Sequence, residues 1–149
     1  MKHEYVSAGL LVLALAACSV QEHSVEFELQ NGVRLPVHDR GQVQDTCEVL
    51  GQRLDQNEAR VCVEFPSSAL SEEFEPSNWY GKELTNRGFD WASGAANQYW
   101  FNWPTSESCF LRLNLTALPK ERIEGDDWTD LQVYVAVFEF EPEERCEQN

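Results

Sequence analysis

A segment near the C-terminus is apolar on both sides of an extended chain, and this pattern constrains the fold most strongly. In residues 131–140 the two sets are Val133, Val135 and Val137 on one side and Tyr134, Ala136, Phe138 and Phe140 on the other. Side chains alternate between the faces of a sheet, so a strand that is apolar on both sides must be covered on both. The pattern therefore predicts a central strand.

Other segments alternate with the same period and predict further strands. Residues 96–103 and 110–117 alternate their side chains as half-buried strands do, and residues 61–65 form a shorter strand that ends at Pro66. The first of these carries Tyr99, Phe101 and Trp103 on one face and Gln98, Trp100 and Asn102 on the other; the second carries Leu111, Leu113, Leu115 and Ala117 on one face.

Residues 25–37 predict a hairpin at the N-terminal side of the domain. A three-residue loop, residues 30–32 with Gly32 left-handed, keeps the apolar side chains on one face, whereas a two-residue turn mixes the faces. The resulting register pairs Val25 with Val37, Phe27 with Leu35, Glu28 with Arg34, and Leu29 with Val33.

Two helices complete the predicted elements. Asp45 and Glu48 have the spacing of a capping box and predict a short helix through Leu54. Ser77 is predicted to cap a second helix that runs to Arg87, followed by a left-handed glycine. Together the elements predict an α+β fold, a mostly antiparallel sheet of order β-α-β-β-β preceded by a hairpin and a short helix.

The N-terminal residues are typical of an exported chain. Residues 6–17 are uncharged and almost wholly apolar, and they end in the run Leu15-Ala16-Ala17-Cys18. A membrane-spanning helix needs roughly 20 such residues, so the segment has the length of a signal peptide instead.

The run before Cys18 resembles the lipobox of bacterial lipoproteins. The resemblance implies cleavage before Cys18 and acylation of that cysteine; an ordinary secretory signal is the alternative. Ser19 resembles the outer-membrane sorting pattern, with the protein facing the periplasm. We therefore expect a signal peptide at residues 1–17, a lipidated tether at 18–24 and one globular domain at 25–149.

Four further cysteines follow Cys18, which is an even number in an oxidising compartment. The spacing favours a Cys109–Cys146 disulfide, because these residues flank neighbouring ends of two predicted antiparallel strands, and this pairing leaves Cys47–Cys62. The other connectivities and a site of four zinc ligands stay open as alternatives.

Acidic residues outnumber basic ones by 26 to 11, and the net charge is −15 at pH 7. Such a surface repels phosphate backbones, so we expect no nucleic-acid partner. The charge suits either simple solubility or a cationic partner.

Catalytic motifs are absent from the sequence: it has no G-x-S-x-G, no H-E-x-x-H and no phosphate-binding glycine loop. Asp126, Asp127 and Asp130 are more typical of a solvated turn than of a metal cluster. Asp90 and Glu107 are weak candidates for the paired carboxylates of a hydrolase. We therefore expect no enzyme activity, no cofactor and no metal.

The face formed by Gln98, Trp100 and Asn102 is the strongest candidate for recognition. An indole flanked by amides suits a protein partner or a glycan, although full burial of this face is the alternative. Glu143 and Glu144 are candidates for attracting a basic partner.

Two function classes follow. The first is a non-catalytic binding module of the envelope, such as an inhibitor or immunity factor for a basic protein, for example a lysozyme-like enzyme. The second is a structural lipoprotein that assists assembly, which an exposed edge strand would favour; an unrecognised hydrolase is a weaker third.

Overall fold

The structure is a computed structural model and describes residues 25–54, 59–69, 75–122 and 133–146. The strands are β1 (Glu26–Glu28), β2 (Arg34–Pro36), β3 (Gln42–Gln44), β4 (Glu48–Val49), β5 (Gln52–Arg53), β6 (Arg60–Pro66), β7 (Asp90–Ala95), β8 (Gln98–Pro104), β9 (Cys109–Pro119), β10 (Val133–Phe140) and β11 (Arg145–Cys146); the helix α1 spans Pro76–Asn86. A 3-10 turn covers Ser67–Ala69. In this part of the chain no helix is long and apolar enough to span a membrane.

Seven strands form one antiparallel sheet in the order β3-β6-β10-β9-β8-β7, and β11 pairs with β9. The strand β10 lies between β6 and β9, and Val135, Ala136 and Phe138 on its two faces are completely buried. The prediction of a central strand is therefore confirmed for Val133–Phe140.

One face of the sheet is covered by α1 and by the β1–β2 hairpin. The Phe27 ring lies 5.0 Å from that of Phe138, and the Tyr80 ring lies 4.8 Å from the same side chain. These residues belong to one buried cluster with Leu35 and Leu84. Each large apolar side chain buried in this way stabilises the fold by about 1.5–3 kcal/mol.

The β1–β2 hairpin has the predicted register. Phe27 pairs with Leu35 and Gly32 has a φ of +80°, as the three-residue loop requires. The predicted partners Glu28 and Arg34 form a surface ion pair at 3.3 Å.

The short helix predicted after Asp45 is wrong, because this segment forms the β4–β5 hairpin. Its two turn residues, Leu50 and Gly51, both have positive φ, of 53° and 70°. This is the geometry of the two-residue turn whose twist matches that of paired strands. The hairpin buries Cys47 and Val49 on the second face of the sheet, against residues of β6 and β10.

The helix α1 is confirmed, with a different start. It begins at Pro76 and is capped by the Glu75 carboxylate, which accepts a hydrogen bond from the Asn78 backbone N–H at 2.8 Å. The predicted cap, Ser77, lies inside the first turn. The helix ends as predicted, with Gly88 at a φ of +92° and the Phe89 N–H donating to the Leu84 carbonyl at 3.2 Å.

The fold class agrees with the prediction of a mostly antiparallel sheet but differs in its helix content. The domain is sheet-rich with one short α-helix among the described residues, so it is more all-β than the predicted α+β fold. The strands β3 and β7, at the two edges of the sheet, were not predicted.

Two disulfides hold the sheet, with the favoured pairing. Cys109 and Cys146 lie directly opposite each other on β9 and β11, with Cα atoms 4.1 Å apart. Cys47 is joined to Cys62, and their Cα atoms are 5.6 Å apart. The alternative of four zinc ligands is excluded, because the sulfurs are bonded in pairs.

Candidate functional site

The strand β8 divides its side chains between the two faces of the sheet. Gln98, Trp100 and Asn102 lie on the face away from α1, and we call these three residues the aromatic sheet face. Gln98 is exposed, and the other two are half-buried. The Trp100 side chain makes no hydrogen bond and no ring contact with any other residue that the structure describes.

Polar residues of β9 lie beside the aromatic sheet face. Trp100 pairs with Asn114, and Asn102 accepts a hydrogen bond of 3.3 Å from the guanidinium of Arg112. That guanidinium lies 5.5 Å from the centre of the Phe110 ring. The surface around Trp100 thus combines aromatic, amide and guanidinium groups, and aromatic residues and arginine are enriched at the cores of protein interfaces.

Glu143 and Glu144 lie in the short connection between the end of β10 and the start of β11. Both are exposed. Glu144 accepts a hydrogen bond from the Thr105 hydroxyl in the loop after β8, and Glu107 is exposed in the same loop. We call Glu107, Glu143 and Glu144 the acidic rim, because they lie at the end of the sheet that follows Asn102.

The candidate metal and hydrolytic residues are not gathered into a site in the described structure. Cys109, Cys146 and the Glu144 carboxylate lie together, but both sulfurs belong to the disulfide and provide no thiolate. Asp90 is exposed at the start of β7, opposite Asn102, and Glu107 is exposed beyond β8. The other candidates, Asp126, Asp127 and Asp130, lie outside the described residues.

A groove of about 370 Å³ lies on the opposite side of the β7–β8 hairpin, against α1. Its lining residues are Ser77, Asn78, Gly81, Lys82, Thr85, Asn86, Trp91 and Tyr99. Ligand sites usually have volumes of about 300–1,000 Å³ and combine aromatic walls with a few polar groups, so this groove has the size and composition of a small one.

Trp91 forms the exposed aromatic wall of the groove. It is 54% exposed, and its ring lies 5.6 Å from that of Tyr99 and 5.4 Å from that of Phe101. A β-bulge at Ala92 puts Trp91 and Gly94 on the same face of β7, three positions apart. A Cβ at position 94 would lie 2.7 Å from Cη2 of Trp91, so glycine is what lets the indole lie flat on the hairpin.

The two lysines of the described structure have different surroundings. Lys120 forms an ion pair with Glu64 at 2.7 Å, and this hydrogen bond raises the pKa of Lys120. Lys82 lines the groove and is exposed, and it forms no ion pair with any described residue.

The sequence predicted which residues share the aromatic sheet face, and it did not predict the groove. Alternation along β8 was enough to put Gln98, Trp100 and Asn102 together. The groove was missed because β7 carries a bulge and four small residues and does not alternate. The one signal in the sequence was a tryptophan, Trp91, followed closely by Gly94.

Comparison with protein-family models, with curated proteins and with solved structures found no match for this chain.

Proposed function

We propose that this protein is a lipid-anchored lipoprotein of the bacterial cell envelope that binds a basic partner protein, as an inhibitor or immunity-type factor. It would act by binding, without an enzymatic activity. The anchor would be lipid on Cys18, most simply in the outer membrane facing the periplasm. The observation that carries the binding proposal is Trp100, whose half-buried indole has no ring or hydrogen-bond partner among the described residues. It lies on β8, the strand that leads into the loop carrying Glu107 of the acidic rim.

The aromatic sheet face supplies what a protein contact requires at its centre. Tryptophan is enriched among the residues that carry most of the binding energy in interfaces, particularly where water is excluded around it. Gln98 and Asn102 flank Trp100 on the same strand and offer amide donors and acceptors at its border. The Arg112 guanidinium is already held by Asn102 and by the Phe110 ring.

The acidic rim accounts for the expected charge of the partner. Glu107, Glu143 and Glu144 are exposed and form no ion pair with a described residue. As part of the net charge of −15, they would attract a cationic protein within a range near the Debye length, about 8 Å at physiological salt.

A structural role in envelope assembly is the second candidate, and one observation favours it. All six residues of β7, at the edge of the sheet, are exposed. Exposed edges accept added strands, but the bulge at Ala92 interrupts the ladder that an added strand would need. Hydrolysis has less support, since the residues that line the groove include no carboxylate.

The lipid-free chain from residue 19 onward is first used to capture a basic protein from envelope extract. The rates at which two sets of variants bind and release that protein are then compared with those of the parent. Replacing Glu143 and Glu144 by Gln should slow association a few-fold at low salt, with less effect at high salt. Trp100→Ala should speed dissociation by about tenfold or more.

The control is Trp91→Ala, which removes an indole from the other face of the same hairpin and should leave both rates unchanged. Thermal melts of every variant check folding. Capture that survives both the glutamine substitutions and Trp100→Ala would reject the aromatic sheet face as the binding surface.

A further inference from the structure

We propose that the groove between α1 and the β7–β8 hairpin is a saccharide-binding site. One face of a pyranose ring would lie on Trp91, and polar side chains of α1 would bind the ring's hydroxyl groups. The site is separate from the aromatic sheet face and does not rest on the proposed function.

Trp91 is a preformed platform for a flat ligand. Four large hydrophobic side chains are exposed among the described residues: Trp91, Val25, Val43 and Leu50. Of these four, Trp91 alone is aromatic. Its position is fixed by edge contact with the buried Phe101 and by the close approach to Gly94. A side chain that is already ordered loses little entropy when a ligand stacks on it.

The helix provides the polar wall opposite Trp91. Gly81 lets α1 approach the sheet closely, because a Cβ there would lie 3.3 Å from Cζ of Phe101. On either side of it, Asn78, Lys82 and Asn86 line the groove as exposed side chains, with amide and ammonium groups that make no hydrogen bond to another described side chain.

The base of the groove includes a further donor. Ser77 lines it and is only 2% exposed, and its buried hydroxyl oxygen has no hydrogen-bond partner in the described structure. Buried hydroxyls are nearly always paired, so this one needs an explanation. A rotation of the side chain toward a ligand hydroxyl would provide the pair.

This combination selects a saccharide over other ligand classes. A lipid or apolar peptide would leave the amides and Lys82 unpaired, at a cost of about 1–3 kcal/mol for each group that it buries. A nucleotide or phosphate would meet one cation, Lys82, among the residues that line the groove, on a strongly acidic protein. A pyranose ring has apolar C–H faces and a hydroxyl edge, which match the indole and the polar wall.

Both neutral and acidic saccharides contain the pyranose ring, so two probes are used to distinguish these two classes of ligand. The first is a neutral tetramer of N-acetylglucosamine, and the second is a tetramer of galacturonate, whose carboxylates would reach Lys82. NMR titration of the indole N–H signals should show the Trp91 signal moving with one or both probes. Lys82→Gln should weaken the acidic probe about tenfold or more and the neutral probe only a few-fold.

Trp91→Ala should weaken binding by roughly tenfold or more, because it removes the stacking surface. The matched control is Trp100→Ala, which should leave saccharide binding unchanged. If Trp91→Ala lowers the melting temperature strongly, Asn86→Ala on the exposed helix surface provides a second variant, expected to weaken binding several-fold. Failure of both probes to bind, or binding that neither Trp91→Ala nor Asn86→Ala weakens, would overturn the proposal.

Discussion

Tyr80 brings a polar atom into the centre of the core. Its side chain is completely buried, with its ring 4.7 Å from Trp79 and 6.0 Å from Phe27. The hydroxyl has no hydrogen bond of standard geometry to a described residue, although it lies near the backbone of His38. Burial raises the pKa of Tyr80 well above its usual value, and the His38 backbone offsets only part of this effect.

The raised pKa gives the stability of the domain a defined dependence on alkaline pH. The folded protein holds the phenol proton more tightly than the unfolded chain does. The stabilisation is therefore complete below about pH 10, the ordinary tyrosine pKa, and is lost as the pH rises through the higher pKa of the folded state.

Tyr80→Phe should remove this dependence. At pH 8 we expect the free energy of unfolding to change by about 1 kcal/mol or less, since the hydroxyl gives up little hydrogen bonding. Between pH 9 and 11 the parent should lose more stability than the variant. Urea unfolding at pH 8, 9, 10 and 11 measures both, and parallel losses in the two proteins would show that Tyr80 is not the titrating group.

At the scale of elements, side-chain alternation predicted most of the sheet. It succeeded where one face is buried, as in β8 and β9, because a slip of one residue would expose the apolar set. The same reasoning gave the β1–β2 hairpin and the aromatic sheet face. The central strand β10 was predicted from a different signal, apolar side chains on both of its faces. Local signals were enough wherever burial repeats with the period of the strand.

The sequence predictions were wrong or incomplete where the deciding contact is distant in sequence, or where the alternation of apolar and polar side chains is broken. The segment after Asp45 carries a helix-start signal, but the Cys47–Cys62 disulfide and burial of Val49 against the sheet favour a hairpin. Its turn begins with Leu50 rather than with asparagine, so the usual hairpin signature is missing. The groove depends on α1 packing against β7, and that contact has no local signal.

Substitutions in the β4–β5 turn should change the stability of the domain in opposite directions for the observed hairpin and for the helix predicted from the sequence. Leu50 is 39% exposed and has positive φ, which asparagine tolerates far better. Leu50→Asn should therefore stabilise the domain by about 0.5–1 kcal/mol, and Gly51→Ala should destabilise it by about 1–2 kcal/mol. A helix would give the opposite sign for both, because alanine is the better helix former and asparagine the poorer one. The urea unfolding midpoints of the two variants, compared with that of the parent, decide between the hairpin and the helix.

At the scale of the whole molecule, the excess of acidic groups bears on the proposed membrane anchor. Five cations of the described structure are already paired with carboxylates: Arg34, Arg60, Arg87, Lys120 and Arg145. The remaining charge repels anionic headgroups, so the domain itself offers little attraction to a lipid surface. Membrane attachment would then depend on the proposed lipid at Cys18.

The last prediction concerns the proposed lipid anchor on Cys18 and its effect on membrane attachment. Each buried methylene of an acyl chain contributes about 0.8 kcal/mol, so several chains make attachment effectively permanent and insensitive to salt. The parent should stay in the membrane fraction after a high-salt wash, which serves as the control for electrostatic binding. Cys18→Ser should remove acylation, and the protein should then appear in the soluble fraction or persist as an uncleaved precursor, which intact-mass measurement distinguishes. A Cys18→Ser chain that is cleaved to the mature length and still fractionates with membranes as fully as the parent would show that lipid on Cys18 is not the anchor.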